Sequence, residues 1–443
     1  MDDAVSGALF SHSPAFRRRR FFNWFPLGLI YSFYYMTRYN LSKANTAISD
    51  AYGLTNAEFG IVITAGFWTY AVSFLINGPL TDKVGGKRAI LIGAGGTILM
   101  NLIIGLLIGF SFPVKIVLAL SLLYALNMYF QSFGAVSIVK VNAAWFHVRE
   151  RGVFGGIFGV LISFGYWLAY GVGAILLAKL PLMYIFIVPS LLIFIVTLAG
   201  AFLVKDRPSQ AGFDDFDTGD ASSGDHTPVS IAYVVRKVFT NRVTLTIAAA
   251  EFFTGYIRNS IMQWFPKYVD KVYGYGKGAI EVPLFGVTIP FDVFGIGLFL
   301  VGIAGGISAG WLSDRFFGSR RPPVAMLYYL GIALCLVGLF LADTAAIATA
   351  CALGASLFFV GIHGLLSGTS SMDFGGRKAA ATAAGLIDGM VYLGSGIAGI
   401  FVGGAIDLFG WHAWPLVILP ATVVGMVLTY LIRDALPKGS GGH

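Results

Sequence analysis

Gly78 to Arg88 reads GPLTDKVGGKR, and Gly310 to Arg321 reads GWLSDRFFGSRR. Each stretch sits between two long apolar runs, and the second begins 232 residues after the first in a chain of 443. A glycine, an acid four positions on and then a basic cluster, recurring at matched places, mark an internal duplication. Gly78 allows close helix approach, while Asp82 and its basic neighbours can pair with helix ends and with one another. Charge that only sets membrane orientation would supply the lysines and arginines, but would not require Gly and Asp at these spacings.

Composition identifies the medium around these stretches. With 57% hydrophobic residues and 12% charged, and a mean hydropathy of +0.78, the chain carries about half the charge of a soluble domain. It reads as an integral membrane protein with room for about twelve helices of about 20 residues. Long unbroken apolar runs exclude a membrane β-barrel. Such runs fall at 22–43, 57–80, 88–109, 114–140, 153–178 and 183–204, then at 243–266, 288–312, 323–342, 346–372, 379–404 and 411–432. The expected fold is all-α, with 12 transmembrane helices in two pseudo-symmetric six-helix halves, 1–204 and 243–437. They are joined by a polar linker, 205–242, which contains DRPSQAGFDDFDTGDASSGDHTP. The connection ending KVYGYGKGAIEVPLFGVTIPFD, up to Asp292, is long enough for a small hairpin, with turn signals at Gly286 and the prolines.

Arg17 to Arg20 directly precede the first run and hold the N-terminus in the cytoplasm. On that orientation the cytoplasmic segments collect about 21 Lys and Arg against about 6 outside, so both ends are expected inside. The +8 net charge therefore implies no nucleic-acid partner. The first run is long and lacks a small-residue cleavage pattern, so no cleavable signal is read. Cys335 and Cys351 stand in apolar surroundings and suggest packing rather than a disulfide or a metal site. No cofactor is implied. The terminal KGSGGH, 438–443, reads as an expression remnant.

Two charges stand inside apolar runs. In YSFYYMTRYN, Tyr31 to Asn40, the residues Tyr31, Tyr34, Tyr35 and Arg38 recur at i, i+3, i+4 and i+7 and share one helix face. An arginine there costs about 2.5–3.5 kcal/mol even on a lenient insertion scale. A snorkelling side chain is the plain alternative. A second arginine, Arg258 in IAAAEFFTGYIRNSIMQWFPKY, stands 220 residues later at a matched place in the other half and argues for an anion site. Parallel repeats put such sites at their interface near the midplane. Paired guanidinium forks favour a phosphate or another compact oxyanion, with tyrosines supplying hydroxyl donors and ring faces for the organic part.

GPLTDKVGGKR and its weaker second copy match the loop signature of the major facilitator superfamily. On that resemblance Gly78, Asp82, Arg88, Asp314 and Arg315 are conformational gating residues. YYMTRYN, RNSIMQWFPKY, WFHVRERG, DRPSQAGF and GGRKAAATAAGLIDGMVYLGSG further resemble the organophosphate:phosphate antiporters, the family of the bacterial glycerol-3-phosphate and hexose-phosphate transporters. That resemblance implies that Arg38 and Arg258 bind phosphate, that Tyr31, Tyr35, Tyr70 and Tyr392 line the cavity, and that Lys140 keeps a basic residue at the cytoplasmic end of helix four. It also implies a bacterial inner membrane, a small anionic substrate exchanged for inorganic phosphate, and a monomer. Where the glycerol-phosphate carriers have a lysine in helix two, a histidine in helix five and acids in helices seven and eight, this chain has Phe74, Ile162, Gln263 and Phe299. The less polar cavity weakens the case for glycerol 3-phosphate and glucose 6-phosphate.

Asn259, Gln263 and Ser163 are candidate hydrogen-bond donors to substrate, though each has backbone within reach as well. Glu251 precedes Arg258 by seven residues, a spacing that allows an ion pair along one helix face. Glu251, His363 and Asp388 fall at similar depth and form either a proton-coupling cluster or a polar lock between helices. The glycines of GVFGGIFG, Gly152 to Gly159, suit close packing of helix five. No phosphate-binding loop for ATP is present, and no nucleophile and base can be put together, so an enzyme is not expected. The remaining alternatives are a proton-coupled carboxylate carrier and a transporter-like sensor of a phosphorylated ligand. Tags at the N-terminus, within 215–225 and at the C-terminus are expected to be reachable only from the cytoplasm; labelling of any of them outside intact cells would overturn the twelve-span topology.

Overall fold

The computed structural model describes residues 12–112, 114–147, 151–218, 240–274, 280–284, 287–369 and 380–434. The rest of the linker and the terminal 438–443 lie outside the described residues. Among the described residues twelve long helices follow one another, numbered here in chain order. The first half holds α1 (Pro14–Lys43), α2 (Asn56–Val84), α3 (Gly86–Gly109), α4 (Ile116–Trp145), α5 (Arg151–Trp167) and α6 (Tyr184–Leu203). The second holds α7 (Arg242–Tyr273), α8 (Val293–Phe316), α9 (Arg321–Phe340), α10 (Ala345–His363), α11 (Ala380–Phe409) and α12 (Trp414–Leu431). A π-helical turn, Leu168–Val172, carries α5 on into Gly173–Lys179, and another, Gly364–Thr369, extends α10. Between α7 and α8 the strands β1 (Ile280–Leu284) and β2 (Val287–Phe291) pair antiparallel, with Leu284 opposite Val287. This hairpin lies where the turn signals predict one.

Ten of the helices are apolar and long enough to cross a bilayer on composition alone. The two that fall short are α1 and α7, which carry Arg38 and Arg258. Every residue from Tyr31 to Ser42 and from Thr254 to Phe265 is buried, so these helices are central and hide their polar groups on all sides. Outside them, exposed side chains such as Leu75, Phe202, Ile195 and Leu408 form the apolar belt that lipid covers. We call the face where α1 begins the near face and the face where it ends the far face.

Local chemistry explains the ends. Thr55 and Glu58 form a capping box at the start of α2, and Asp292 accepts from the backbone of Phe294 and Gly295 to start α8. Gly85, at φ 90°, turns the chain between α2 and α3 in a conformation that favours glycine. Asp206, at the start of the linker, accepts from the Lys87 N–H at 2.8 Å. Trp145 Nε1 donates to the Lys205 carbonyl at 3.0 Å, and Phe16 packs on Trp145, Phe213 and Phe216. The beginning of the polar linker is thus folded down on the first half.

The halves meet through glycines, whose missing side chains let backbones touch. A Cβ at Gly60 of α2 would collide with the Gly399 carbonyl of α11, and one at Gly399 would meet the Gly60 carbonyl at 2.6 Å. Within the second half, Gly255 of α7 lies against the Val391 carbonyl and Gly394 of α11 against that of Phe252. Of the helix-five glycines expected to pack closely, Gly152, Gly155 and Gly156 lie outside the residues whose surroundings are described and open space surrounds Gly159; close approaches fall later, with Gly165 against Ser32 and Tyr35 and Gly295 of α8 against Gly171. In a chain lacking Cys335 and Cys351, Gly399→Val is expected to part α2 and α11 and to speed several-fold the labelling of Ala47→Cys by a membrane-impermeant thiol reagent. Unchanged labelling would show that this approach does not seal the far face.

Candidate anion site

Arg38 and Arg258 are both buried, 1% and 5% exposed. Arg38 donates through Nε to Gln131 Oε1 of α4 at 3.0 Å, and its guanidinium carbon lies 4.8 Å from the Tyr35 ring centroid and 4.4 Å from that of Tyr70. The Arg258 guanidinium lies 5.5 Å from the Tyr392 ring centroid, and the Tyr392 and Tyr70 rings meet edge to face at 4.4 Å. A tyrosine pair, one ring from each half, therefore links the two arginines. Tyr31 packs on Tyr35 at 5.4 Å, and Tyr166 of α5 packs on Tyr35 and Tyr39 at 5.0 and 5.2 Å. Phe67 and Phe74 stack on Tyr392 at 6.4 and 5.8 Å.

The electrostatics of this cage are unbalanced. Among the described residues neither arginine has a carboxylate partner, and Arg38 Nη2 and Arg258 Nε are buried with no hydrogen-bond partner. An unpaired buried donor costs about 1–3 kcal/mol, and more when charged. Ring faces offset part of this through cation–π attraction, but only an anion can occupy the orphaned N–H groups with full charge complementarity.

The first-half arginine is braced by groups that pattern reading did not single out. Gln131 Nε2 donates to Thr37 Oγ1 at 3.2 Å, Asn127 Nδ2 to the Thr37 carbonyl at 3.1 Å, and the Tyr124 hydroxyl to the Arg38 carbonyl at 3.1 Å. Asn101 of α3 joins the network, donating to Asn127 Oδ1 at 3.0 Å and accepting from Asn40 at 3.0 Å. The available signal was amides in apolar runs, with Asn127 and Gln131 four residues apart on one face.

The other expected residues divide into separate groups. Asn259 and Gln263 lie one and five residues beyond Arg258 on α7, but their polar atoms serve helix contacts. Asn259 donates to the Ser395 carbonyl at 2.7 Å, and Gln263 accepts from Ser42 of α1 and donates to Asn259 Oδ1 at 3.3 Å. Ser163 donates to the Gly159 carbonyl at 2.9 Å. Lys140 is ion-paired with Asp82 at 2.7 Å, both largely exposed, nine residues beyond Gln131 toward the near face. Asp314 bonds Arg321 and Ser319, each at 2.8 Å, while Arg88 and Arg315 are exposed. Gly78 has no atom within 4 Å of an added Cβ, so the close approach expected there is not made in this conformation. The ion pair allowed by the Glu251 to Arg258 spacing is not formed either: Glu251 Oε2 instead lies 3.0 Å from His363 Nδ1 across the α7–α10 contact. Asp388 accepts from Ser367.

From the cage to the far face the halves are stitched together. Trp68 Nε1 donates to the Leu393 carbonyl at 3.2 Å and Thr64 to that of Gly396 at 2.6 Å. Lys43 pairs with Asp292 at 2.7 Å, Lys267 bonds Ser49 and Asn45 at 2.9 and 3.2 Å, Lys271 pairs with Asp50 at 3.0 Å, and Asp407 accepts from the Ala57 N–H at 2.7 Å. Every hydrogen bond found between the halves among the described residues lies at or beyond the level of the cage.

The sequence profile described as Major Facilitator Superfamily matches residues 27–399. The chain belongs to that family. Similar members include the glycerol-3-phosphate transporter of Bacillus subtilis (strain 168), 24% identical over 94% of this chain and 93% of its own. The membrane sensor protein UhpC of Salmonella typhimurium is 25% identical over 92% of this chain and 90% of its own. Among solved structures, a bacterial homolog to the human lysosomal transporter Spinster, inward-facing and unoccupied, superimposes with a TM-score of 0.68 over 96% of both chains at 13% identity, a likeness of fold. These relatives are carriers and a sensor rather than enzymes. For this superfamily member, Arg38→Lys and Arg258→Lys keep the charge but lose the planar fork. Each is expected to weaken phosphate binding tenfold or more, from about 1.5–3 kcal/mol for a charged hydrogen bond. Alanine at either position is expected to weaken it further, and parent-like binding by both lysine variants in a calorimetric titration would put the anion elsewhere.

Proposed function

We propose that the chain is a secondary transporter that moves an organic phosphate or similar small organic anion in exchange for inorganic phosphate by alternating access. The observation that carries this reading is the pair of buried guanidiniums, one from each half, with orphaned N–H groups and, among the described residues, no carboxylate beside them. The names of two relatives, a glycerol-3-phosphate transporter and a probable hexose phosphate transport protein, agree with a phosphorylated ligand. Arg38, Arg258, Tyr31, Tyr35, Tyr70 and Tyr392 are the residues we assign to the anion. In this reading the protein is a monomer of a bacterial inner membrane with both termini in the cytoplasm, so the far face, where the halves are bonded together, is the outer one.

The mechanism follows from charge. An empty site sets two positive groups facing each other across the interface of the halves, and they repel. A phosphate dianion between them turns that repulsion into attraction for both halves and stabilises the closed intermediate through which the site must pass. Opening the far face then requires breaking the latches at Lys43, Lys267 and Lys271, and Asp82 with Lys140 and Asp314 with Arg321 act on the near face in the same cycle. Exchange is therefore expected to outrun net flux. Counterflow of labelled phosphate in proteoliposomes, challenged with phosphate esters, phosphonates and carboxylates, tests this directly. Faster phosphate exchange than net efflux, inhibited by organic phosphates, supports the reading. Carboxylate transport without phosphate exchange, or binding without any flux, replaces it with a carboxylate carrier or a sensor.

A further inference from the structure

A second polar site lies in the other half of the mechanism, and the anion cage does not use it. Glu251 of α7 is 0% exposed, yet its Oε1 is buried without a hydrogen-bond partner. Its Oε2 faces His363 Nδ1 of α10 at 3.0 Å, and the His363 side chain is 31% exposed. The pair lies toward the near face, nine residues after the start of α7 and at the last residue of α10 before the π-helical turn Gly364–Thr369. Such turns interrupt the regular ladder and recur at functional positions.

We infer that Glu251 and His363 form a proton-binding site that couples net anion movement to proton movement. A carboxylate kept only as a structural lock would have both oxygens satisfied. Here Oε1 has no donor among the described residues to hold the ionised form, while Oε2 faces an imidazole nitrogen that can donate to the carboxylate or accept from the acid, so the pair can hold a proton on either partner. In this inference the imidazole, the exposed member of the pair, passes protons to the sealed carboxylate. One proton taken up at Nε2 makes the imidazolium, and transfer of the Nδ1 proton to Oε2 leaves a carboxylic acid and a neutral imidazole, so that the site gains one proton and one positive charge.

Among the described residues the neighbouring helices supply these groups, together with Tyr328 of α9, which packs on Gly361. From α9 the Tyr329 hydroxyl bonds the Ala250 carbonyl at 2.8 Å and Thr254 Oγ1 at 2.6 Å, on either side of Glu251, and is committed there. From α11 comes Asp388, held by Ser367 of the π-helical turn. Along α7 itself Arg258 stands seven residues on, about 10 Å along the axis. The charged residues of α8, Asp314 and Arg315, lie at its near end, and the ionisable side chain of α12 is Tyr430. Arg258 provides the link to transport, because a dianion bound at its guanidinium removes the positive charge that favours an ionised Glu251. Anion binding thereby promotes protonation of the pair, and protonation promotes anion binding, by the reciprocity of linked equilibria.

Two measurements test this, one of them independent of flux. In lipid films titrated with acid, infrared difference spectra are expected to show a carboxylic-acid C=O band that Glu251→Gln removes and His363→Gln moves to a different pH. A band unaffected by Glu251→Gln, or no band, overturns the proton site whether or not phosphate is carried. In proteoliposomes with the external pH held constant, so that the entering phosphate keeps one charge state, net phosphate entry is expected to rise several-fold when the interior is made alkaline. Glu251→Gln is expected to abolish that stimulation while leaving phosphate exchange within about threefold of the parent, which also reports that the variant is folded. This flux arm rests on the anion-carrier reading. Absence of phosphate exchange in the parent counts against that reading alone, whereas exchange without stimulation by the proton gradient, or stimulation that survives in Glu251→Gln, counts against the coupling.

Discussion

Two guanidinium groups, buried with no counter-ion among the described residues, are the constraint to which the rest of the molecule answers. A soluble domain avoids such a pair, since the penalty for an uncompensated buried charge reaches several kcal/mol. Here the fold carries it in the two helices that are surrounded on all sides, α1 and α7, and lowers it with tyrosine rings rather than with carboxylates. The choice has a chemical consequence. Carboxylates would neutralise the arginines permanently, whereas ring faces leave the N–H groups unclaimed and their charge available to a ligand that comes and goes.

Precision of the site comes from neighbours that never need to touch a ligand. The amide network of Asn101, Asn127 and Gln131 fixes the backbone and the guanidinium of Arg38, while the Gly255 and Gly394 contacts press α7 and α11 together and hold Tyr392 beside Arg258. Each half thus carries one braced arginine. Between the halves the contacts are of another kind: glycine-mediated backbone approach near the cage, and lysine latches at the far face whose partners are short polar side chains. Of these, Lys271–Asp50 is an exposed pair of the kind that contributes about 0–1 kcal/mol, whereas Lys267 is buried and must find new partners when the far face opens.

Glu251 and His363 extend the same logic to the near side of α7 and α10. A carboxylate sealed from solvent beside a half-exposed imidazole, on the helix that also carries Arg258, puts a second charge-changing group on the element that senses the first.

Much of this was readable in the chain itself. The medium, the twelve helices, the two halves and the hairpin follow from the length and spacing of apolar runs, because a bilayer demands continuous hydrophobicity over a set distance. Arg38, Arg258 and the stripe of Tyr31 and Tyr35 stood out for the same reason: a charge inside an apolar run is costly enough to require an explanation. What no spacing argument could settle was partnership. The seven-residue interval between Glu251 and Arg258 allows an ion pair along α7, yet the carboxylate bonds His363, a residue 112 positions away. Lys140 shares the sign of the site but pairs with Asp82 at the near face, and Asn259 and Gln263, beside Arg258 in sequence, spend their polar atoms on Ser395, Ser42 and each other. Helical periodicity determines which residues share a face, because that depends only on rise and turn within one element. Which groups on different helices meet depends on how the helices are rotated and packed against one another, and that was decided only by the tertiary structure.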